Sequence, residues 1–257
     1  MPDHAWRHRV TGTNGAATGP AGSLTVLRGF AAKGTLPRSS TKAHTGRETR
    51  TVVSSRFMNE APRRLRRAEL PADTATLAQF LIGKTLVHEH SAGRMSGRIV
   101  ETEAYVVGDA ACHAFRGLTA RNRALFLDRG HAYIYFIYGC WHALNVSGET
   151  AGVGAGVLIR AIEPVEGVAL MRGRRGVRRD ADLARGPGRL AAALAIDRAY
   201  DGLDLCAPGP LWLGAAIQPP GRIGRSARIG ISRETERKLR FFERDNAFVS
   251  GPRWLRG

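Results

Sequence analysis

Cysteine is scarce in this 257-residue chain, with Cys112, Cys140 and Cys206 the only three. They are odd in number and far apart, which excludes a disulfide framework and a Cys-x-x-Cys metal clip and points to a reducing compartment. Lysine is nearly absent, occurring only at positions 33, 42, 84 and 238. No apolar run approaches the ~20 residues of a membrane span, and the best candidate for a signal-peptide core, SLTVLRGFAA, is broken by Arg28. There is no G-x-S-x-G elbow, no Walker loop and no H-x-E partnered by P-C-x-x-C. Acyl hydrolases, P-loop NTPases and zinc deaminases that carry those motifs are thereby disfavoured. The expectation is a soluble, cytoplasmic protein.

What is abundant is arginine. Lys and Arg total 39 against 22 Asp and Glu, for a net charge of +17, and with four lysines the other 35 are arginines. Arginine is the side chain best shaped to grip phosphate with two hydrogen bonds, so a polyanion is the expected partner. The competing reading is that the excess only solubilises the chain. Residues 1–57 hold nine basic and two acidic residues, no sustained hydrophobic period, and much Gly, Ser and Thr. They read as disordered. Without them 30 basic and 20 acidic residues remain, still +10, so the leader is not the sole source of charge. It is open to three readings: a transit peptide, a DNA-binding arm, or sequence upstream of a true start at Met58.

After the patch PRRLRR, the run DTATLAQFLIGKTLVHEH predicts a helix begun at Asp73 or Thr74, striped by Leu77, Phe80 and Leu81, and ended near Gly83. A strand from Thr85 to Glu89 should follow, then a turn over Ser91 to Ser96. His88 and His90 share a strand face, and a surface pair is favoured over a metal chelate because no third ligand stands at a familiar spacing. Further on, GAGVLIRAIEP reads as a buried strand holding Arg160, which needs an anionic partner, carboxylate or phosphate. Pro164 is expected to start a helix running to about Met171. A short helix entered through Gly186-Pro187-Gly188, and short strands around LWL, RIGI and AFVS, complete the chain.

The centre is the stretch from Gly97 to Asn145. In GRIVETEAY, strand alternation puts Glu101, Glu103 and Tyr105 on one face. In AYIYFIYGCWHALN, Tyr133, Tyr135 and Ile137 share a face, and Gly139 permits the turn. The long connection between them carries His113 and Arg116, Arg121, Arg123 and Arg129, and connections of that length are usually functional. One carboxylate framed by rings in a basic protein suits an enzyme that lifts a base from a duplex and cuts its N-glycosidic bond. The carboxylate would deprotonate the attacking water and stabilise the cationic sugar.

GRIVETEAY, D-x-A-C-H-A-F-R-G-L-T-x-R-N-R, YIYFIYG and VLIRAIEP-x-EG resemble, in order and with matching gaps, the alkyladenine (3-methyladenine) DNA glycosylase family of base-excision repair. The likeness runs from about residue 70 to the C-terminus and includes GPGRLAAALAID, ARIGIS and LRFF. It implies a single α+β domain, with a curved, mostly antiparallel sheet, flanking helices and a protruding β-hairpin, expected over 61–257, and the leader read as disordered from its composition then spans 1–60. It implies no cofactor and no metal, double-stranded DNA holding damaged purines as partner, no membrane, a monomer, and a place at the nucleoid.

Carried over residue by residue, the resemblance makes Glu103 the general base, with Glu101 the competing carboxylate that spacing alone does not rank. Tyr105, His113 and Tyr135 would enclose the flipped base, and Asn145 would screen out guanine by clashing with its amino group. Tyr138 would be the wedge that fills the vacated space, widened by Cys140 and Trp141, and Arg160 would contact the DNA backbone. Asp128-Arg129 stands before Gly130 where the family commonly has a proline beside the glycine. Strand-cleaving glycosylases use an amine nucleophile, and the folded region offers only Lys84 and Lys238, away from these motifs; a monofunctional enzyme is expected.

Overall fold

The structure is a computed structural model, and it describes residues 62–137 and 139–252. The expectations placed on the leader fall on residues outside this range. The first α-helix is α1 (Thr74–Leu81), fixed at its start by Asp73, whose carboxylate accepts from the Thr76 amide at 2.7 Å. Leu77, Ala78 and Leu81 bury its apolar side. Gly83, at φ +84°, takes the left-handed conformation that turns the chain out of the helix and into the sheet.

The strands are β1 (Thr85–His90), β2 (Gly93–Tyr105), β3 (Ala132–Ile137), β4 (Trp141–Ser147), β5 (Gly156–Glu166), β6 (Leu211–Gly214), β7 (Ile223–Ser226) and β8 (Arg240–Glu243). They form one curled sheet in the order β3-β4-β5-β2-β1-β6, with β8 also pairing β2 and β7 pairing β8. Every pairing is antiparallel. The long β2 therefore holds β5 along one edge, and β1 and then β8 along the other. The α+β class, the antiparallel sheet and the β3–β4 hairpin agree with the expected architecture.

Helices α1 and α2 (Val168–Arg175) pack on β2, and α3 (Pro187–Ala193) packs on β4 and β5. The main core gathers Leu77, Leu81, Ile99, Ile134, Val146 and Ile159 with Leu190 of α3. A second, smaller cluster of Cys112, Ala114, Ala124, Leu125 and Tyr133 lies under the 106–130 connection. That connection contains a turn of 3-10 helix at Arg123–Phe126 and is tied by Asn122, whose side-chain amide donates to the His113 and Gly117 carbonyls at 2.9 and 3.0 Å. At its end Gly130 (φ +95°) has Cys206 and Leu70 where a side chain would go, so the Asp128-Arg129-Gly130 sequence keeps the glycine's close approach without the proline.

Several expectations need correction. The β1–β2 turn is shorter than Ser91 to Ser96, because the ladder closes at His90 opposite Gly93 and Arg94 pairs with Glu89 across it at 2.8 Å. Pro164 does not start a helix. It sits inside β5 opposite Gly97, where the register shifts and a missing N–H costs the ladder little, and α2 begins only after Gly167 turns the chain at φ +70°. RIGI and AFVS are not strands; the sheet uses Ile223–Ser226 and Arg240–Glu243 instead. His88 is not on the surface: it is fully buried, with Nδ1 2.6 Å from the Leu194 carbonyl and Nε2 2.9 Å from the Tyr200 hydroxyl. Both ring nitrogens are thereby occupied within the protein. No helix among the described residues is long and apolar enough to cross a membrane.

Candidate active site

Register across the sheet builds the site. Glu103 of β2 pairs with Leu158 of β5, Leu158 with Asn145 of β4, and Asn145 with Tyr133 of β3. Residues directly opposite in a ladder share a face, so these four form one row across four strands. Residues two apart along each strand join the same face: Tyr105, Gly156, Arg160 and Tyr135. A cavity of about 870 Å³ opens over this surface, lined by Tyr105, His113, Tyr133, Tyr135, Asn145 and Arg160 among others. Gly156 leaves space that a side chain would contest with Leu125. Arg175, Arg185, Arg189 and Arg233 stand along the cavity wall and make it electropositive.

Glu103 is fully buried. One carboxylate oxygen accepts from the Ile229 amide at 2.7 Å; the other accepts from the Tyr105 hydroxyl at 3.0 Å and Arg160 Nη1 at 3.2 Å. All three partners belong to residues lining the cavity, so the carboxylate lies in the wall immediately behind it. Burial pushes the Glu103 carboxyl above the usual glutamate range; Arg160 and the Ile229 amide offset this only in part, and the Glu101 charge adds to it.

Glu101 lies two residues earlier on the same strand face and is equally buried. Its oxygens accept from Arg240 Nε at 2.6 Å, Arg160 Nε at 3.2 Å and the Ser250 amide at 2.7 Å. Burial raises its pKa, but Arg160, Arg240 and the Ser250 hydrogen bond outweigh that, and the carboxyl falls below the usual range. The two neighbouring carboxylates are thus pushed in opposite directions. Glu101 is locked in a salt-bridge network; Glu103 is the more basic and the nearer to the cavity.

Of the three expected rings, His113 and Tyr135 meet, and Tyr105 lines the same cavity. His113 meets Tyr135 at 4.5 Å between centroids, near edge-on, and Tyr135 stacks with Tyr133 at 5.4 Å. His113 Nδ1 lies 2.9 Å from the Tyr133 hydroxyl. Burial, reinforced by Arg121, lowers the His113 pKa and keeps the imidazole neutral near pH 7. Burial raises the Tyr105 phenol far above its ordinary value and Tyr133 to about 12, so both remain hydroxyl donors. Asn145, nearly buried in the cavity wall, donates from Nδ2 to the Tyr133 carbonyl at 3.3 Å.

Arg160 finds its anionic partner inside the protein, in Glu101 and Glu103, while still facing the cavity. Trp141 lines the cavity too, set against Gly188, with the Arg175 guanidinium 5.5 Å from its ring centroid. Cys140 is exposed beside it at the hairpin turn, where Gly139 takes φ +69°. Tyr138 lies outside the described residues.

Sequence reasoning missed Ile229, Arg228, Asp109, Arg240 and Ser250. Arg228 and Asp109 form a fully buried ion pair. Ile229, Arg228, Arg240 and Ser250 reach the site from segments remote in sequence, signalled only by ARIGIS and LRFF; Asp109, six residues after Glu103, stands in the D-x-A-C-H segment, where its pairing with Arg228 was not visible.

Residues 68–247 match the model of the family described as "Methylpurine-DNA glycosylase (MPG)". Among the relatives of this chain, a protein of Mesorhizobium japonicum is 64% identical over 189 residues, covering 74% of this chain and 91% of that one. A protein of Paraburkholderia phytofirmans is 52% identical over 191 residues, covering 74% and 90% respectively. One from Methanocella arvoryzae is 45% identical over 184 residues, covering 69% and 90%. All three carry the name "Putative 3-methyladenine DNA glycosylase". These matches define a DNA-repair hydrolase that acts on N-glycosyl bonds. The chain belongs to the methylpurine-DNA glycosylase family.

Proposed function

We propose that this chain is a monofunctional DNA glycosylase that flips one damaged purine out of duplex DNA and releases it through a water activated by Glu103. The observation that carries this reading is the row Glu103–Leu158–Asn145–Tyr133 beneath an electropositive, ring-walled cavity. The flipped base stacks among Tyr105, His113 and Tyr135, and Tyr138 takes its place in the duplex with Trp141 beside the entrance. Asn145 rejects the guanine amino group. Arg160 braces Glu103 and steadies negative charge near the flipped nucleotide.

Water attacks C1′ of the sugar while the C1′–N bond breaks and its electron pair leaves with the purine. Glu103 takes the water proton, and its charge steadies the oxocarbenium character of the sugar. Purines methylated at N3 or N7 carry positive charge and depart neutral, so 3-methyladenine and 7-methylguanine need no strong acid. Hypoxanthine and ethenoadenine are neutral and slower leaving groups, and form the secondary substrate class.

Base release from duplex oligonucleotides carrying 3-methyladenine, 7-methylguanine, hypoxanthine or ethenoadenine tests the reading. The cationic bases should leave fastest, with an intact abasic strand as product and no loss of rate in EDTA. Absence of release from all four lesions, despite tight binding, would leave a damaged-DNA-binding protein in place of the enzyme.

A further inference from the structure

The geometry points to Arg228 and Asp109 as positioning residues for the reaction: their buried ion pair joins three walls of the cavity and holds both the Glu103 carboxylate and the Tyr105 ring in place. This rests on the reading in which Glu103 is the general base.

The first wall is β2. Arg228 Nη1 donates to the Ala104 carbonyl, between Glu103 and Tyr105, at 2.9 Å, and the guanidinium carbon lies 4.6 Å from the Tyr105 ring centroid. The second wall is the start of the 106–130 connection. Arg228 binds Asp109 with both terminal nitrogens, Nη2 to Oδ1 at 3.1 Å and Nη1 to Oδ2. Asp109 in turn accepts from the Ala111 amide at 2.9 Å, and its carbonyl accepts from the Cys112 amide at 2.9 Å. That closes the turn which sets Ala110, Ala111, Cys112 and His113 along the cavity. The third wall is the loop of Arg228 itself, whose next residue, Ile229, gives its amide to Glu103 at 2.7 Å.

Both side chains of the pair are fully buried. Arg228 therefore has no place at the DNA surface, and its fork is spent on three internal partners. Only arginine offers a planar fork that chelates a carboxylate, reaches a carbonyl and lies against a ring at once. A lysine would keep the charge and lose that geometry. The consequence falls on Glu103, whose charged surroundings are Arg160 from β5, Glu101 from its own strand, Arg240 from β8 acting on Glu101, and Arg228 from the loop. When the loop slackens, Glu103 loses the Ile229 amide, one of the contacts that holds its pKa down.

The test compares Arg228→Lys and the neutral pair Asp109→Asn/Arg228→Gln with wild type and with Glu103→Gln. Single-turnover base release and duplex affinity are measured from pH 4 to 9 on protein shown folded by circular dichroism. Arg228→Lys should slow base release about ten- to a hundredfold, leave duplex affinity nearly unchanged, and move the acid limb of the rate profile to higher pH. If Arg228→Lys does not fold, the neutral pair, which leaves no buried charge unpartnered, is read in the same way. A folded variant with wild-type rate and an unmoved acid limb, beside an inactive Glu103→Gln, overturns the positioning role alone. Base release retained in Glu103→Gln, which leaves the Asp109–Arg228 pair intact, sinks the general-base reading and the positioning role with it.

Discussion

Glu101 and Glu103, two residues apart on one face of β2, share the guanidinium of Arg160, which meets Glu101 through Nε and Glu103 through Nη1, each at 3.2 Å. Their acidities nevertheless diverge. Arg240 and the Ser250 amide complete the coordination of Glu101 and hold it ionised, whereas burial dominates at Glu103 and leaves it the stronger base. The pair thus divides into a carboxylate locked between two guanidiniums and a more basic one, the proposed general base.

That division predicts opposite effects on stability. Glu101→Gln strands part of the charge on Arg160 and Arg240, and should cost about 3–5 kcal/mol in chemical denaturation at neutral pH. The folded-state pKa of Glu103 is raised, so its contribution is favourable only below the unfolded value and turns unfavourable as pH rises through the folded one. Glu103→Gln should therefore be no less stable than wild type at pH 7.5. Equal destabilisation by the two substitutions would contradict the assignment of duties.

The same shift predicts the pH dependence of catalysis. In the proposed mechanism Glu103 acts in its ionised form, so the rate should fall on acidification with a midpoint above the ~4.3 of an ordinary glutamate. The profile of single-turnover rate against pH, on a cationic lesion whose departure needs no protonation, reads this midpoint. A limb at or below the ordinary value would mean that another group sets it.

Asn145 is pinned by its bond to the Tyr133 carbonyl and has little freedom to yield to an intruding amino group. Asn145→Ala should raise release of undamaged guanine relative to 3-methyladenine by roughly tenfold, the scale of a single steric or polar discrimination in a base pocket. An unchanged ratio would remove Asn145 from the filter.

Borohydride should trap no covalent protein–DNA adduct. Lys84 is partly buried with its ammonium 4.2 Å from the Phe80 ring centroid, Lys238 is exposed, and neither lines the cavity. A trapped adduct would show that an amine reaches C1′ and that the enzyme also cleaves strands.

Much of the site was legible because it lies on strands. Alternation alone put Glu101, Glu103 and Tyr105 together, and Tyr133 with Tyr135, and the structure keeps both sets. The start of α1 was legible to within one residue, Asp73 or Thr74, since capping is a local rule, and the cap is Asp73. Less was legible where a long-range contact overrides a local one. RIGI has the composition of a strand but is spent as a loop, because Arg228 and Ile229 are tied to Asp109, Ala104 and Glu103 rather than to a neighbouring strand. His88 looked solvent-facing beside His90, yet Leu194 and Tyr200, more than a hundred residues away, enclose it. The different surroundings of the two glutamates were hidden for the same reason: Arg240 and Ser250, the partners of Glu101, come from the far end of the chain.

The most direct measurement is single-turnover release of 3-methyladenine from a duplex by Glu103→Gln, with duplex affinity determined on the same protein. A Glu103 that activates the water predicts a rate lower by about 10²- to 10⁴-fold with affinity within about threefold of wild type. Wild-type release by the glutamine variant would contradict it.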